Sequence, residues 1–358
     1  MKNILSLLFV LATLSVVAQT GNQFAATGKV IDSATGQPLA GASVFCQNTT
    51  FGGVSNSEGE FKLWLPAGGY DLVVSYTGYE TQSLRIHSSN AANLFITLKA
   101  KEKTLQEVSI TASTAVPDGY QKYGQFFLDR FIGTSPNAAQ CSIQNPDALV
   151  FYFYKKKNRL KVKAKEDIVI LNNALGYKIK FQLDSFAHEY NTEISTYTGF
   201  PFFEELTGSD DDKAKWKQNR ENAYAGSKLH FVRSWYDSTL ADEGFVVERV
   251  DSSSKTLKTY PIRDPYDSSL YSVVENNDVE ISYNGKLRVV YNNALPDPSY
   301  LRANHLPNTL HTQISMLDIS DGFIIQQNGY FYDQNDVINT GYWSWQKLAD
   351  ALPYDYNP

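Results

Sequence analysis

The sequence predicts a mainly β protein with α+β character, in which an N-terminal β-sandwich precedes a larger antiparallel-sheet domain packed with a few helices. Three observations support this fold class. Apolar and polar residues alternate between Gly28 and Leu98, as they do in strands that bury one face. Turn-forming residues interrupt that alternation at short intervals. Beyond Gly119 the alternation continues, but segments of helical period are interspersed with it.

The first domain is expected to contain six or seven short antiparallel strands. The alternating apolar positions include Phe61, Leu63 and Leu65, then Tyr70, Leu72 and Val74, then Leu94, Ile96 and Leu98. Turn chemistry separates these runs, with glycine and proline between Asp32 and Pro38 and again between Pro66 and Gly69. Short strands that each bury one face assemble into a sandwich.

Residues 1–18 have the pattern of a secretory signal peptide. A lysine lies near the start, an apolar stretch runs from Ile4 to Val17, and small side chains precede the expected cleavage after Ala18. We therefore expect an exported protein that begins near Gln19. No later segment has the roughly 18 consecutive apolar residues that a membrane helix requires, so no transmembrane span is expected.

Composition limits the partners and the number of cores. The chain has 38 acidic and 32 basic side chains and a net charge of −6. Nucleic acid is therefore not an expected partner, because its recognition needs a basic face. A chain of 358 residues, 42% of them apolar, is long enough for two packed cores. Cys46 and Cys141 fall in different predicted domains, and two buried thiols are favoured over a disulfide bridge.

Five ordered sequence blocks resemble the carboxypeptidase regulatory-like domain, a transthyretin-like sandwich of Gram-negative envelope proteins. The blocks are Gly28 to Val30, Gly36 to Val44, Ser57 to Phe61, Leu65 to Tyr70 and Ser75 to Tyr79. The resemblance places this domain at residues 24–100. It implies an accessory module without catalytic residues, because such sandwiches resemble the domain that lies beside zinc carboxypeptidases.

Residues 101–118 are expected to form a linker. Within it, Lys101 to Ala112 is an extended segment that resembles the short box after the same sandwich in TonB-dependent outer-membrane receptors of the starch-utilisation type. Such a segment could add an edge strand to a partner's sheet. An ordinary interdomain strand is favoured, because no plug-like sequence follows and the remaining residues are too few for a receptor barrel.

A second domain is predicted over residues 119–358. A helix is expected from Tyr120 to Ile132, and a longer one from about residue 212 to residue 236, opened by a Ser or Asp cap. Gly226 lies within the longer helix and marks close packing on the sheet. A short helix is expected before Leu352. Strands are expected around residues 149–154, 160–162, 168–171, 177–181, 194–197, 245–247, 279–281 and 287–290.

This second half resembles the region that follows the regulatory-like sandwich in uncharacterised Gram-negative envelope proteins. The blocks are 143–146, 173–179, 197–201, 219–227, 230–234, 341–343 and 349–353. The resemblance implies a family whose activity is not established.

The sequence contains no recognisable catalytic motif, so the expectation is a non-enzyme with no catalytic residue, cofactor or metal ligand. A zinc carboxypeptidase needs a histidine and a glutamate three residues apart, and none of the five histidines begins such a pair. No nucleophile elbow occurs, and the Ser-x-x-Lys matches at Ser252 and Ser344 lack the accompanying Lys-Thr-Gly. The acidic clusters at 210–212, 318–321 and 333–336 are interpreted as solvated turns.

One polar constellation is a candidate ligand pocket. On a continuous helix, Arg220, Tyr224, Ser227 and His230 would share about a quarter to a third of the circumference. They could form a pocket against the sheet. The favoured alternative is that Arg220 and His230 satisfy carbonyls and carboxylates within the domain core.

Three functions remain open. The first is a non-catalytic accessory or scaffold protein of the Gram-negative envelope, whose sandwich and linker dock to an outer-membrane protein partner. The second is a carbohydrate-binding or peptide-binding protein of the periplasm or cell surface. The third is an unrecognised hydrolase, which the missing motifs disfavour.

Overall fold

The computed structural model describes residues 23–101, 115–251, 253, 256–332 and 336–358. Strands dominate, several antiparallel sheets form, and short helices accompany them, which confirms the predicted fold class. The expected signal peptide and most of the expected linker, residues 102–114, lie outside the described residues. Within the described part, no helix is long and apolar enough to cross a membrane.

The first unit is a sandwich of a three-stranded sheet, in the order β4-β1-β7, on a four-stranded sheet, in the order β3-β2-β5-β6. Its strands are β1 (Gln23–Asp32), β2 (Ser43–Cys46), β3 (Gly52–Val54), β4 (Glu60–Pro66), β5 (Tyr70–Ser75), β6 (Gln82–Ile86) and β7 (Leu94–Leu98). The expected strand number is correct. The expectation of antiparallel pairing throughout is wrong at one place, because β7 returns to its sheet beside β1 in the parallel direction.

The second unit is a six-stranded sheet covered by one helix. Its elements are α1 (Gly119–Phe131), β8 (Cys141–Ile143), β9 (Leu149–Tyr154), β10 (Arg159–Ala164), β11 (Ile168–Asn172), β12 (Tyr177–Glu189) and β13 (Ile194–Glu205). The long strand β12 pairs with β13 along one edge, and with β11 and then β10 along the other. A bulge between Leu183 and Ser185 interrupts the β12–β13 ladder.

The third unit contains a five-stranded sheet, β15-β14-β18-β19-β21, and a three-stranded sheet, β16-β17-β20. Its strands are β14 (Phe245–Asp251), β15 (Lys258–Pro261), β16 (Tyr271–Val273), β17 (Val279–Ile281), β18 (Gly285–Tyr291), β19 (Gln313–Ile319), β20 (Phe323–Ile325) and β21 (Val337–Gly341). The remaining helices are α2 (Asp210–Tyr224), α3 (Lys228–Tyr236), α4 (Pro298–Ala303) and α5 (Tyr342–Trp345).

The region expected to be a single domain, 119–358, has two separate main hydrophobic cores. One lies between α1 and the sheet of β8 to β13, and the other is built from α3 and the strands that follow it. Each sheet buries its own apolar face, so two sheets of this size need two cores. The domain boundaries themselves remain a prediction.

Both thiols are free. Cys46 is buried in β2 and Cys141 is half-buried in β8, and burial raises the pKa of Cys141 to about 12. The expectation of unbridged thiols thus agrees with the structure, although Cys141 is only half-buried.

The sandwich is joined to the second unit through the outer face of its four-stranded sheet. Phe45, on that face, is 4% exposed and lies against Phe202 of β13, with 5.3 Å between ring centroids. Backbone hydrogen bonds join the same surfaces, because the Asn48 N–H donates to the Pro201 carbonyl at 2.8 Å. The three-stranded sheet has no such cover among the described residues, and Trp64 on its outer face is 59% exposed.

Because one sheet is covered and the other is not, truncating an aromatic residue on each should lower the free energy of unfolding by different amounts. We expect Phe45→Ala to lower the free energy of unfolding by about 3 kcal/mol, because it removes a buried ring from an interface. Trp64→Ala should cost less than about 1 kcal/mol, since it loses mainly the cation–π contact with Lys62. Denaturant unfolding of the two variants measures the difference, and equal costs would contradict the described interface.

Candidate functional site

The helix on which the candidate pocket depended is not continuous. The expectation of one helix over residues 212–236 is wrong, because the chain breaks at Gly226, where φ is +75°. A side chain at Gly226 would collide with Gln313 and Tyr291 of the sheet, so the expected close packing is present. Ser227 caps the second helix, and its hydroxyl accepts the His230 N–H at 3.1 Å. The break occurs because the backbone needs a left-handed residue at this contact.

Arg220 is held by the loop between β11 and β12. Its guanidinium donates to the carbonyls of Leu175 and Gly176 at 2.7 and 3.2 Å, and to the Glu205 carboxylate at 2.7 Å. It also lies 3.9 Å from the centre of the Tyr177 ring. These contacts fix α2 on the sheet.

His230 and Tyr224 are engaged with each other across the helix break. Their rings stack at 4.6 Å, and His230 Nδ1 accepts the Gly226 N–H at 3.2 Å. The ring proton therefore lies on Nε2, which donates to Glu243 at 3.1 Å. Burial lowers the pKa of His230, against the opposing effect of Glu243.

The four predicted residues are thus not brought together around one pocket. Arg220 lines a groove of about 460 Å³ with Trp216 and Tyr356, whereas Ser227 lines a different and larger cavity.

The larger cavity, of about 730 Å³, lies where the three units meet, and we call it the junction cavity. Its volume falls in the range of about 300–1,000 Å³ that small-molecule sites occupy. Every unit supplies part of the wall: Gln47 and Asn48 of the sandwich, Tyr197 to Pro201 of β13, Ser227 to Leu229 at the start of α3, Phe331, Asn339 of β21, and parts of the segment from Trp343 to Tyr354.

Two lysines face the junction cavity without a carboxylate partner among the described residues. The Lys228 ammonium lies 5.0 Å from the centre of the Phe331 ring, and burial lowers its pKa with no contribution from a neighbouring charge. Lys347 donates to the Ser344 carbonyl at 3.1 Å, and burial and the charge of Arg130 lower its pKa. The cavity therefore contains two cations whose charge is not balanced by an acid of the described residues.

The two acids of the lining already have hydrogen-bond donors. Ser135 and Asn137 donate to Asp350 at 3.0 and 2.9 Å, and burial raises the pKa of Asp350 to about 6. Thr198 donates to Asp184, in the bulge of β12, at 2.8 Å. Neither acid is paired with Lys228 or Lys347.

Several other sequence candidates have ordinary structural partners, whereas Ser252 and residues 333–335 of the last acidic cluster lie outside the described residues. The Asp212 side chain completes a capping box with Ser209 at the start of α2, and Asp318 pairs with Lys286 at 3.1 Å. The Ser344 hydroxyl donates to the Gly341 carbonyl rather than to Lys347. Among the described residues, no group of three or more His, Cys, Asp or Glu side chains could hold a metal ion.

Sequence reasoning missed the junction cavity because its walls come from segments as far apart in the chain as Gln47 and Tyr354. A partial signal existed, since the blocks at 197–201, 341–343 and 349–353, which carry the resemblance of the second half, all contribute to this lining.

Comparison with known proteins identifies the first module. Two TonB-dependent receptors are similar to part of the chain: P39 of Formosa agariphila is 39% identical over 75 residues, and SusC of Bacteroides thetaiotaomicron is 33% identical over 81 residues. These alignments cover 21% and 23% of this chain but only 7% and 8% of the receptors.

A solved structure of a Bacteroides fragilis protein of unknown function covers 89% of this chain and 95% of its own, at 11% identity and a TM-score of 0.19, which is too low to support an argument. Residues 26–110 match the family model of the CarboxypepD_reg-like domain. The chain therefore carries a CarboxypepD_reg-like domain at residues 26–110, which confirms the predicted domain type, whereas the sequence blocks place it at residues 24–100.

Proposed function

We propose that this protein is an exported, non-catalytic component of the Gram-negative envelope that binds a small polar ligand in the junction cavity. One observation carries the proposal: all three units contribute to one cavity of ligand size. The relationship of the first module to TonB-dependent receptors supports the envelope location.

The lining suits a polar ligand with apolar faces. Tyr197, Phe200 and Tyr354 supply aromatic surface, on which sugar rings or peptide side chains can pack. Gln47 and Asn339 supply amide groups that can donate and accept hydrogen bonds. A saccharide or a short peptide meets both requirements.

A second function, docking to an outer-membrane receptor, is favoured by the uncovered sheet of the sandwich. Phe95 of β7 is 69% exposed and borders a groove with Val54 and the charged side chains Lys29 and Lys62. The opposite sheet is already buried against the rest of the chain. A partner of the sandwich would therefore use the β4-β1-β7 face.

Filling the junction cavity tests the first function. We expect Asn339→Trp to abolish the rise in melting temperature that a binding di- or trisaccharide or tripeptide produces in the wild-type protein, because the indole occupies the cavity. Thr340→Trp is the matched control, since Thr340 lies on the same strand but is exposed. Unchanged ligand response in Asn339→Trp would contradict binding at this cavity.

Replacing Arg220 tests whether this residue stabilises the fold or binds the ligand. We expect Arg220→Ala to lower the free energy of unfolding by about 3 kcal/mol, because two carbonyls and Glu205 lose a charged donor. Ligand affinity should not change, since Arg220 is outside the junction cavity. Lys217→Ala, at an exposed position on the same helix, should stay within about 0.5 kcal/mol of wild type. Calorimetric titration and denaturant unfolding give both quantities, and a selective loss of affinity would restore Arg220 as a ligand residue.

Co-purification tests the docking function. Tagged protein from gently solubilised envelopes should retain a stoichiometric outer-membrane receptor, and Phe95→Glu should reduce its recovery without changing the melting temperature. Val246→Glu, on the third unit, is the exposed control. Recovery of the wild-type protein alone would remove this function.

A further inference from the structure

The proposed function does not say which charge a ligand of the junction cavity carries. The inference below names that ligand class, and it therefore rests on the proposed function. Lys228 is the central residue. It lines the cavity, forms no ion pair within the described part of the chain, and has the Phe331 ring as its neighbour at 5.0 Å. A partly desolvated ammonium in this position lacks an anion.

The backbone around Lys228 adds to the same preference. Ser227 caps α3, a helix of nine residues that begins with Lys228 and Leu229, and all three residues line the cavity. The first N–H groups of a helix have no acceptor within it, and the helix dipole places partial positive charge there. An anion at this point would meet the ammonium and the helix terminus together.

The rest of the wall does not supply that anion. Asp184 accepts the Thr198 hydroxyl, and Asp350 Oδ1 accepts the Ser135 hydroxyl and the Asn137 amide, so neither acid is paired with Lys228. The amide side chains of Gln47, Asn339 and Gln346 line the cavity and make no hydrogen bond among the described residues. The cavity therefore offers a cation at Lys228 and neutral amide groups at other places, while Asp350 Oδ2 is an acceptor without a donor among the described residues.

We propose that the junction cavity binds a small organic carboxylate, whose anionic group lies against Lys228 and the first turn of α3 while its neutral polar groups face the lining amides. Lys347 supplies a second positive charge to the same volume. This chemistry occurs in acidic saccharides and in peptides with a free C-terminal carboxylate, which the experiment separates.

Isothermal titration at low salt provides the test. The probes are digalacturonate with its neutral dimethyl ester, and N-acetyl-tri-alanine with its neutral carboxamide, each titrated into the full-length protein. We expect one acid to bind about tenfold or more tightly than its neutral counterpart, because a charged acceptor strengthens the hydrogen bonds of Lys228. The pair that shows the difference identifies the source of the carboxylate.

Lys228→Met should lower the affinity of that acid to the level of its neutral counterpart, and Lys347→Met should lower it by a smaller factor. Lys217→Met, in an exposed lysine of α2, is the matched control and should leave the affinity unchanged. Thermal unfolding confirms that each variant is folded.

Two results would overturn the inference, and they are distinguishable. If the acid and its neutral counterpart bind equally, or if Lys228→Met binds the acid as wild type does, the carboxylate assignment is wrong while ligand binding in the cavity stands. If none of the four probes binds to the wild-type protein, the carboxylate assignment fails. A simultaneous lack of any cavity-dependent response in the Asn339→Trp comparison would remove the proposed function as well.

Discussion

Burial of the four-stranded sheet of the sandwich on both faces is the constraint on which the rest of the molecule depends. Its inner face forms the sandwich core, and its outer face is closed by Phe45 and Val73, which are 4% and 0% exposed. Contact with Phe202 fixes this sheet against β13. As a result the loop after β2 meets the second unit, and the sandwich supplies a wall of the junction cavity rather than an independent arm.

A second joint holds the sandwich to the third unit through polar groups. Arg85 of β6 lies over the rings of Tyr330 and Tyr332, at 3.8 and 4.8 Å from their centres, and pairs with Asp71 at 3.1 Å. It also donates to Gln326, whose amide in turn donates to Asp278. A half-buried guanidinium with this many partners resists displacement, since each lost partner would leave a desolvated charge. Two joints on different units restrict rotation of the sandwich.

The strands could be predicted from the sequence where apolar and polar residues alternate. Strands such as β4, in which Phe61, Leu63 and Leu65 are buried and their neighbours exposed, were evident from the sequence. The outer-face burial had a weaker signal in Leu72-Val73-Val74, a continuous apolar run typical of a strand covered on both sides. The helix break at Gly226 was also encoded, because glycine followed by the cap-forming Ser227 is a start signal for a new helix.

The junction cavity could not be derived in the same way. Its walls depend on how three cores are placed relative to one another, and no local pattern specifies that placement. Lys228 shows the difficulty: in sequence it is a lysine at a helix start, and only the folded chain reveals that it lies over the Phe331 ring with no ion-pair partner among the described residues. The parallel pairing of β7 with β1 likewise depends on chain path rather than on composition.

The hydrogen bond from the Thr50 N–H to Asp355, at 2.9 Å, joins positions separated by 305 residues. The C-terminal segment around Asp355 also contacts α3, because Arg233 donates to the carbonyls of Tyr354 and Tyr356. Contacts of such high sequence separation raise the contact order and are slow to form, since the loop must close before they contribute. The sandwich is therefore synthesised long before the C-terminal segment that contacts it. A ligand that needs the complete junction cavity would bind and stabilise only molecules that have finished folding.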